Sequence, residues 1–200
     1  MTDTRAYHHG DLRRTLLTAA LEAIEEVGPA ALSLRDLARR AGVSHAAPAH
    51  HFGDKAGLLA ALAAQGFDLL AQTLTEADDD LLEAGVAYVD FAVTHRAYFE
   101  VMFRPELYRA DDAEVIAARG RAGAALRSGV AALPTGGAPA DTDRDALAAW
   151  SIAHGFATLW LAGALPDRVG DNPREAARAV LRRLATRPRA SPPLMASIME

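Results

Sequence analysis

Apolar residues recur at helical spacing along most of this chain, and glycine or proline interrupts most of the runs. The first run begins near Asp11 and ends at Gly28-Pro29. It places one set of apolar side chains on a single helix face: Leu12, Leu16, Ala19, Ala20, Ala23 and Val27. Alanine, leucine and arginine are frequent and favour helices, and no segment alternates apolar and polar residues as a strand does. The chain is therefore predicted to be all-α.

Two short helices joined by a tight turn are predicted between Ser33 and Phe52. Ser33, with Asp36 three residues on, resembles a capping box, and Gly42 stands where a left-handed residue would end the second helix. Ser44 is expected to cap a third helix from His45 to about His51. This spacing is typical of a helix-turn-helix that enters the major groove of DNA, and also of an ordinary helical corner.

Further helices are predicted along the rest of the chain. Asp54 would cap a fourth helix rich in leucine, and Pro134 to Thr142 reads as a linker rich in proline, glycine and alanine. The remaining helices are expected at about Leu81 to Phe103, 112–132, Asp143 to Leu165 and Pro173 to about Thr186.

Charge is unevenly distributed but does not by itself point to DNA. The net charge is −5, whereas the first 55 residues balance acids against bases and hold five of the seven histidines. This distribution permits DNA binding without requiring it. The chain has no cysteine, which excludes disulfides and thiolate chemistry, and its first residues lack the apolar core of a signal peptide. A cytoplasmic protein is expected.

The stretch from Ala146 to Leu165 carries no formal charge and is long enough to span a membrane. Serine, threonine, histidine and glycine dilute it, and no cluster of lysine or arginine flanks it. A buried helix at a subunit interface explains this stretch better, so no membrane contact is predicted.

Residues Tyr7 to Leu70 strongly resemble the N-terminal domain of TetR-type transcriptional regulators. The landmarks appear in order: Ala19-Ala20, Gly28, Leu34, Leu37-Ala38, Ala41-Gly42-Val43-Ser44, His51-Phe52, Lys55 and Leu58-Leu59. Downstream, Trp150 to Gly155 resembles the Trp-x-x-x-His-Gly signature of the WHG subgroup, and the opening from Tyr7 to Arg13 is similar to the same subgroup.

The resemblance implies a three-helix helix-turn-helix domain at 1–54, a connecting helix four at 55–77, a helical effector-binding and dimerisation domain at 78–188, and a loose tail at 189–200. It implies a homodimer that binds a palindromic double-stranded DNA operator, a small apolar or amphipathic effector, and a regulator that acts as a repressor. The implied DNA contacts are Arg35, Ser44, His45, Ala46, Ala47, His50 and Lys55, with Tyr7 and His8 reaching the backbone from the N-terminus.

Two positions of the predicted recognition helix depart from the family pattern. Ala49 stands where family members usually carry a tyrosine that contacts DNA, which puts one phosphate contact in doubt. Pro48 replaces a residue more compatible with a helix, and it is expected to remove one N–H bond and distort the helix slightly.

Aromatic and apolar side chains of two later helices are candidates for an effector cavity, although such stripes are more often core. The candidates are Phe91, Tyr98, Met102, Phe103, Trp150 and His154. No metal site, cofactor or catalytic residue is predicted, because the histidine pairs lack ligand spacing and no phosphate loop or nucleophile motif is present. The alternative to a DNA-binding regulator is a helical interaction module that does not bind DNA.

Overall fold

The computed structural model describes residues 4–77, 80–131 and 141–185, with the side chains of 12–77, 80–131 and 141–183. All regular secondary structure in these ranges is helical, which confirms the all-α prediction. The α-helices are α1 (Thr4–Ala31), α2 (Leu34–Arg40), α3 (Ala47–Phe52), α4 (Lys55–Thr75), α5 (Leu81–Thr94), α6 (Arg96–Met102), α7 (Ala113–Ala131), α8 (Thr142–Leu161) and α9 (Pro173–Ala185). The side chains of Tyr7 and His8, residues 134–140 of the predicted linker and the tail at 189–200 lie outside the described residues.

Helix α1 begins earlier than predicted and carries a kink where an end was expected. It starts at Thr4 rather than near Asp11, and Gly28 interrupts it with a φ of 75° before Pro29 leads the last turn. A glycine adopts this left-handed conformation without the penalty that a Cβ brings. Ile24 is buried, whereas Val27 is 54% exposed, so the predicted apolar face is wrong at Val27.

The turn between α2 and α3 closes through the backbone. Gly42, at φ 66°, donates its N–H to the carbonyl of Arg39, and the N–H of Val43 donates to that of Ala38. This pair of bonds ends α2 as a Schellman motif, as the position of Gly42 predicted. Ser33 occupies the N-cap position of α2, but no cap hydrogen bond from its side chain is formed.

Helix α3 starts two residues later than predicted, and this removes the expected distortion at Pro48. The N-cap is Ala46, and Ser44 contributes only its carbonyl, which accepts the N–H of Ala47 at 3.0 Å. Pro48 therefore lies in the first turn, where backbone N–H groups have no intrahelical partner. The predicted loss of a helical bond at Pro48 is wrong.

Helix α4 is the central helix of the structure. The carboxylate of Asp54 accepts the N–H of Gly57 at 2.8 Å and caps α4 as predicted. Its leucines are buried except Leu69, which is half-buried, and it packs mainly against α7 and also against α5 and α6. Among the described residues, α4 is the one helix long and apolar enough to cross a membrane, and 56% of that stretch is buried within the protein, as in a core helix.

The predicted helix from Leu81 to Phe103 is two helices with a break at His95. His95 has non-helical angles (φ −119°, ψ 44°), and its ring stacks on Phe91 with the centroids 5.0 Å apart. No glycine or proline marks this break. It redirects α6 so that Ala97, Val101 and Met102 are buried and α6 packs against both α1 and α4.

Helix α8 ends four residues before the predicted Leu165. Gly163, at φ 63°, donates to the carbonyl of Trp160, and the N–H of Ala164 donates to that of Leu159, which again forms a Schellman end. Helix α5 packs against both α8 and α9, and α7 also contacts α8. These helices enclose the space that becomes the candidate effector cavity.

Candidate DNA interface and effector cavity

The surface around the start of α3 presents most of the predicted DNA contacts together. Ser44, His45, Ala46 and His50 are exposed, and Ala47 is half-buried. On the opposite side Pro48 and Phe52 are buried, and the Arg13 guanidinium lies 5.4 Å from the centre of the Phe52 ring. This cation–π contact and the buried anchors orient α3 with its small and polar side chains outward.

Two arginines of α2 are engaged within the protein. Arg40 donates to both carboxylate oxygens of Glu26 on α1, at 2.9 and 2.7 Å, and also to Asp36. Arg39 binds Asp36 at 2.6 Å. The hydrogen bonds from Arg40 lower the pKa of both Glu26 and Asp36. The pair of Arg40 with Glu26 connects α1 to α2, whereas Arg35 is exposed and forms no ion pair with a described carboxylate.

Lys55 at the start of α4 is bound to the kinked end of α1. Its Nζ donates to the carbonyl of Ala30 at 2.5 Å. An ammonium group has three donors, so two remain for a phosphate. The side chain thus connects α1 to α4 while it keeps the capacity for the predicted phosphate contact.

The junction between α3 and α4 is held by a residue that no sequence pattern indicated. Arg109, which follows the short 3-10 helix Pro105–Leu107, donates to the Asp54 carboxylate at 2.7 Å. The same carboxylate caps the Gly57 N–H, and these bonds, that of Gly57 first, lower the pKa of Asp54. Asp54 and Arg109 lie 55 residues apart, and nothing local to either one reveals the pair.

A cavity of about 1080 Å³ lies in the C-terminal helical region, a volume typical of small-molecule sites. Its described lining is mostly apolar and comes from α4, α5, α6, α7, α8 and α9 and the chain after α6. Three aromatic rings form one side, the aromatic wall: Phe67, Phe103 and Trp150, with centroids 5.9 Å apart for the first pair and 6.0 Å for the second. Arg119 and Arg127 of α7 are the basic residues of the lining.

A hydrogen-bonded cluster lies beside the aromatic wall. The Tyr88 hydroxyl lies 2.8 Å from Nδ1 of His154 and accepts the Nε1–H of Trp150 at 3.1 Å. If that hydroxyl donates to Nδ1, the proton of a neutral His154 lies on Nε2. Burial lowers the pKa of His154 and raises that of Tyr88. Both groups are therefore neutral near pH 7, and the cluster holds Trp150 in place on the wall.

The structure divides the six predicted effector residues into two groups. Met102, Phe103 and Trp150 line the cavity. Phe91, Tyr98 and His154 are not on its wall: Phe91 is buried against His95, and Tyr98 donates to Gln65 at 3.2 Å. His154 acts one layer behind the wall, through Tyr88. Trp160 stacks on Phe156 and also lies off the cavity.

Tyr88→Phe is expected to lower the free energy of unfolding by about 1–3 kcal/mol, because it leaves the Trp150 N–H and His154 Nδ1 without their partner in a buried site. Urea denaturation measures this change. Tyr98→Phe is the matched control: its hydroxyl is half-buried and has a single 3.2 Å partner, so the loss should be smaller. Equal losses in the two variants would contradict the importance of the Tyr88 cluster.

One face of α8 is apolar and exposed. Leu147 is 57% exposed, Leu159 47% and Ile152 38%, and Ile152 also lines the cavity. Small or uncharged residues complete this α8 face, namely Ala148, Ser151, Gly155, Thr158 and Ala162. A run of exposed leucine and isoleucine on one helix is typical of a surface covered by another protein.

Two family models match this chain. The model described as bacterial regulatory proteins, tetR family, matches residues 16–62, which cover most of α1, all of α2 and α3 and the start of α4. The model described as tetracyclin repressor-like, C-terminal domain, matches residues 81–184, which cover α5 to α9. Neither model specifies the WHG subgroup, so that assignment of residues 150–155 stays a prediction.

Individual proteins agree with these matches. A Rhodococcus sp. RHA1 protein of unknown function is 38% identical, with a TM-score of 0.72, over 87% of this chain and 93% of that one. AibR, solved with isovaleryl coenzyme A and operator DNA, shares the fold at 17% identity and a TM-score of 0.63, over 86% of this chain and 97% of its own.

The curated relatives match a short part of the chain. The Escherichia coli regulator BetI is 53% identical over 49 residues, which are 24% of this chain and 25% of BetI, so the match spans about a quarter of the relative. BetI is named as an HTH-type transcriptional regulator. Since the C-terminal family model covers more than half of the chain, the protein belongs to the TetR family of transcriptional regulators.

Proposed function

We propose that this protein is a cytoplasmic, non-catalytic repressor that binds a palindromic operator as a homodimer and responds to a small effector. Membership of a regulatory family favours DNA binding over a helical interaction module that does not bind DNA. One helix-turn-helix contacts few base pairs, so two copies on half-sites about one helical turn apart would supply specificity. The exposed α8 face supports the dimer.

The observation that carries the proposal is the exposed surface at the start of α3. His45 and Ala46 lie in the turn ahead of the helix and are exposed, with Ala47 in its first turn. Imidazole can bond to a base edge, and alanine methyls can contact thymine and allow close approach. Ala49 is exposed, but its methyl group has no hydrogen-bond donor for a phosphate. His50, Arg35 and Lys55 are therefore the proposed phosphate contacts.

Selection of bound fragments from random-sequence DNA, followed by titration at stated salt, tests this function. We expect one enriched palindrome that binds about 10³-fold or more tightly than its scrambled sequence. Binding no tighter than that to scrambled DNA would contradict sequence-specific regulation.

His45→Ala is expected to relax base preference at one position in each half-site, at a cost of about 1–3 kcal/mol toward the preferred base. Comparison of the selected sequences of the two proteins measures this. Arg35→Ala is the control, since loss of a phosphate contact should weaken all sequences alike and reduce the salt slope by about one. An unchanged base preference in His45→Ala would show that His45 does not read a base.

The cavity beside the aromatic wall is the proposed effector site. Its volume and apolar lining suit a small amphipathic molecule. AibR, which shares the fold, has been solved with isovaleryl coenzyme A and operator DNA, which supports one chain of this fold binding both kinds of partner. An effector would act by binding one arrangement of the DNA-binding domains better than the other.

A further inference from the structure

Helix α7 presents two arginines on its cavity side. Arg119, Gly123 and Arg127 follow one another at intervals of four residues, so they share one helix face with about 6 Å of rise between neighbours. All three line the cavity. A row of two cations with a glycine between them is unusual on a wall that is otherwise largely apolar.

Gly123 leaves room for the Arg127 guanidinium over the cavity. A Cβ added at Gly123 would lie 3.3 Å from Nη1 of Arg127, which shows that the arginine folds back along the helix over the glycine. Arg127 therefore points toward the turn that carries Arg119. Arg119 in turn lies near Tyr108: burial raises the pKa of that phenol, the charge of Arg119 opposes the shift, and the charge of Glu106 adds to it.

Neither arginine is neutralised by a described carboxylate. Arg121, on the same helix, pairs with Asp68 at 2.7 Å, whereas among the residues that the structure describes no ion pair involves Arg119 or Arg127. Two carboxylates also line the cavity. Asp80 is occupied in capping α5 through the N–H groups of Leu82 and Glu83, which leaves Asp143 as the uncommitted acid. The lining thus holds two arginines and two carboxylates, and neither arginine is ion-paired with a described carboxylate, so both guanidinium groups keep donors for an anion.

We propose that the effector is an amphipathic organic anion whose carboxylate or phosphate head is held by Arg119 and Arg127. Its apolar part lies against the aromatic wall. A guanidinium recognises such heads through paired N–H donors, and the apolar lining stabilises the remainder of the molecule by removing it from water. This inference rests on the proposed function, because it takes the same cavity as the effector site.

Calorimetric titration of the full chain with four twelve-carbon probes, each below its micelle concentration, tests the inference. The probes are dodecanoate, dodecyl phosphate, dodecanol and dodecyltrimethylammonium. We expect at least one of the two anions to bind about 10-fold or more tightly than the alcohol, as charged hydrogen bonds of this kind allow. The better anion identifies which acidic head the site prefers.

Variants assign the preference to the two arginines. Arg119→Gln combined with Arg127→Gln should abolish the preference for the anion over the alcohol, and Asp143→Asn should tighten anion binding about two- to threefold. Arg144→Gln, which removes an exposed arginine of α8 that does not line the cavity, should leave anion binding unchanged.

Several results would overturn the inference: equal binding of the alcohol, preferred binding of the ammonium probe, no binding of any probe, or an anion preference that survives in the double variant. Operator binding by the effector-free protein is measured separately on the selected DNA. If that binding is specific while the anion preference is absent, the proposed function stands and this inference fails. If the anion preference is present without operator binding, the proposed function fails.

Discussion

Leu159→Glu is expected to convert the protein to a monomer and to weaken operator binding by about 100-fold or more. Leu159 is 47% exposed, so a glutamate there stays hydrated in the single chain and the fold is retained. In a dimer that buries the α8 face, the same carboxylate would be desolvated without a partner. Loss of the second half-site removes the effective concentration that joins two weak contacts into one tight one.

Sedimentation velocity measures the oligomeric state, and titration of the selected operator measures affinity. Ile116→Glu is the matched control, because Ile116 is 50% exposed and belongs to another helix, α7. It should leave both quantities unchanged. A Leu159→Glu protein that remains a dimer with full operator affinity would show that the α8 face is not the dimer interface.

Gly57→Ala is expected to abolish specific operator binding and to lower the free energy of unfolding by about 3 kcal/mol or more. A Cβ at this position would overlap the backbone carbonyl oxygen of Phe52, and Nη1 of Arg109 lies 3.0 Å from it. A backbone carbonyl cannot swing aside as a side chain can, so α3 must move relative to α4. The Asp54 cap and its bond to Arg109 are strained by the same shift.

Gly120→Ala separates this effect from helix propensity. Gly120 is exposed within α7, and nothing lies within 4 Å of an added Cβ. There the substitution should stabilise the protein by about 0.5–1 kcal/mol, since alanine favours the helix. Chemical denaturation and operator titration of both variants make the comparison. Stabilisation by Gly57→Ala would show that the α3–α4 junction is looser than the structure indicates.

Local signals in the sequence predicted much of the helix-turn-helix and missed some of its details. Gly42 ends α2 as expected, and Asp54 caps α4. Capping by the Ser44 side chain was expected but does not occur, because the chain makes a turn through His45 and Ala46 before α3 begins. Because α3 begins two residues later than predicted, Pro48 lies in the first turn of the helix, where proline is tolerated, and not at an interior position.

The candidate cavity was harder to predict, because its wall combines single residues from many helices. The spacing of apolar residues places Phe91, Tyr98 and Phe103 on a helix, and it predicted a single straight helix that continues through His95. The break there rotates the residues that follow it, so Phe103 reaches the cavity while Phe91 stays in the core. Arg119 and Arg127 showed no signal of their own, since exposed arginines are common on helix surfaces.

The sequence by itself determined the helical class, the helix-turn-helix and the family, because periodicity, caps and ordered landmarks are all local properties of a chain. Only the tertiary structure decided which helix faces meet. The pair between Asp54 and Arg109, the cluster of Tyr88 with His154 and the two cavity arginines each depend on residues brought together from distant positions or turned toward one space. Such contacts follow from the packing of several apolar faces at once, and no single segment carries that information.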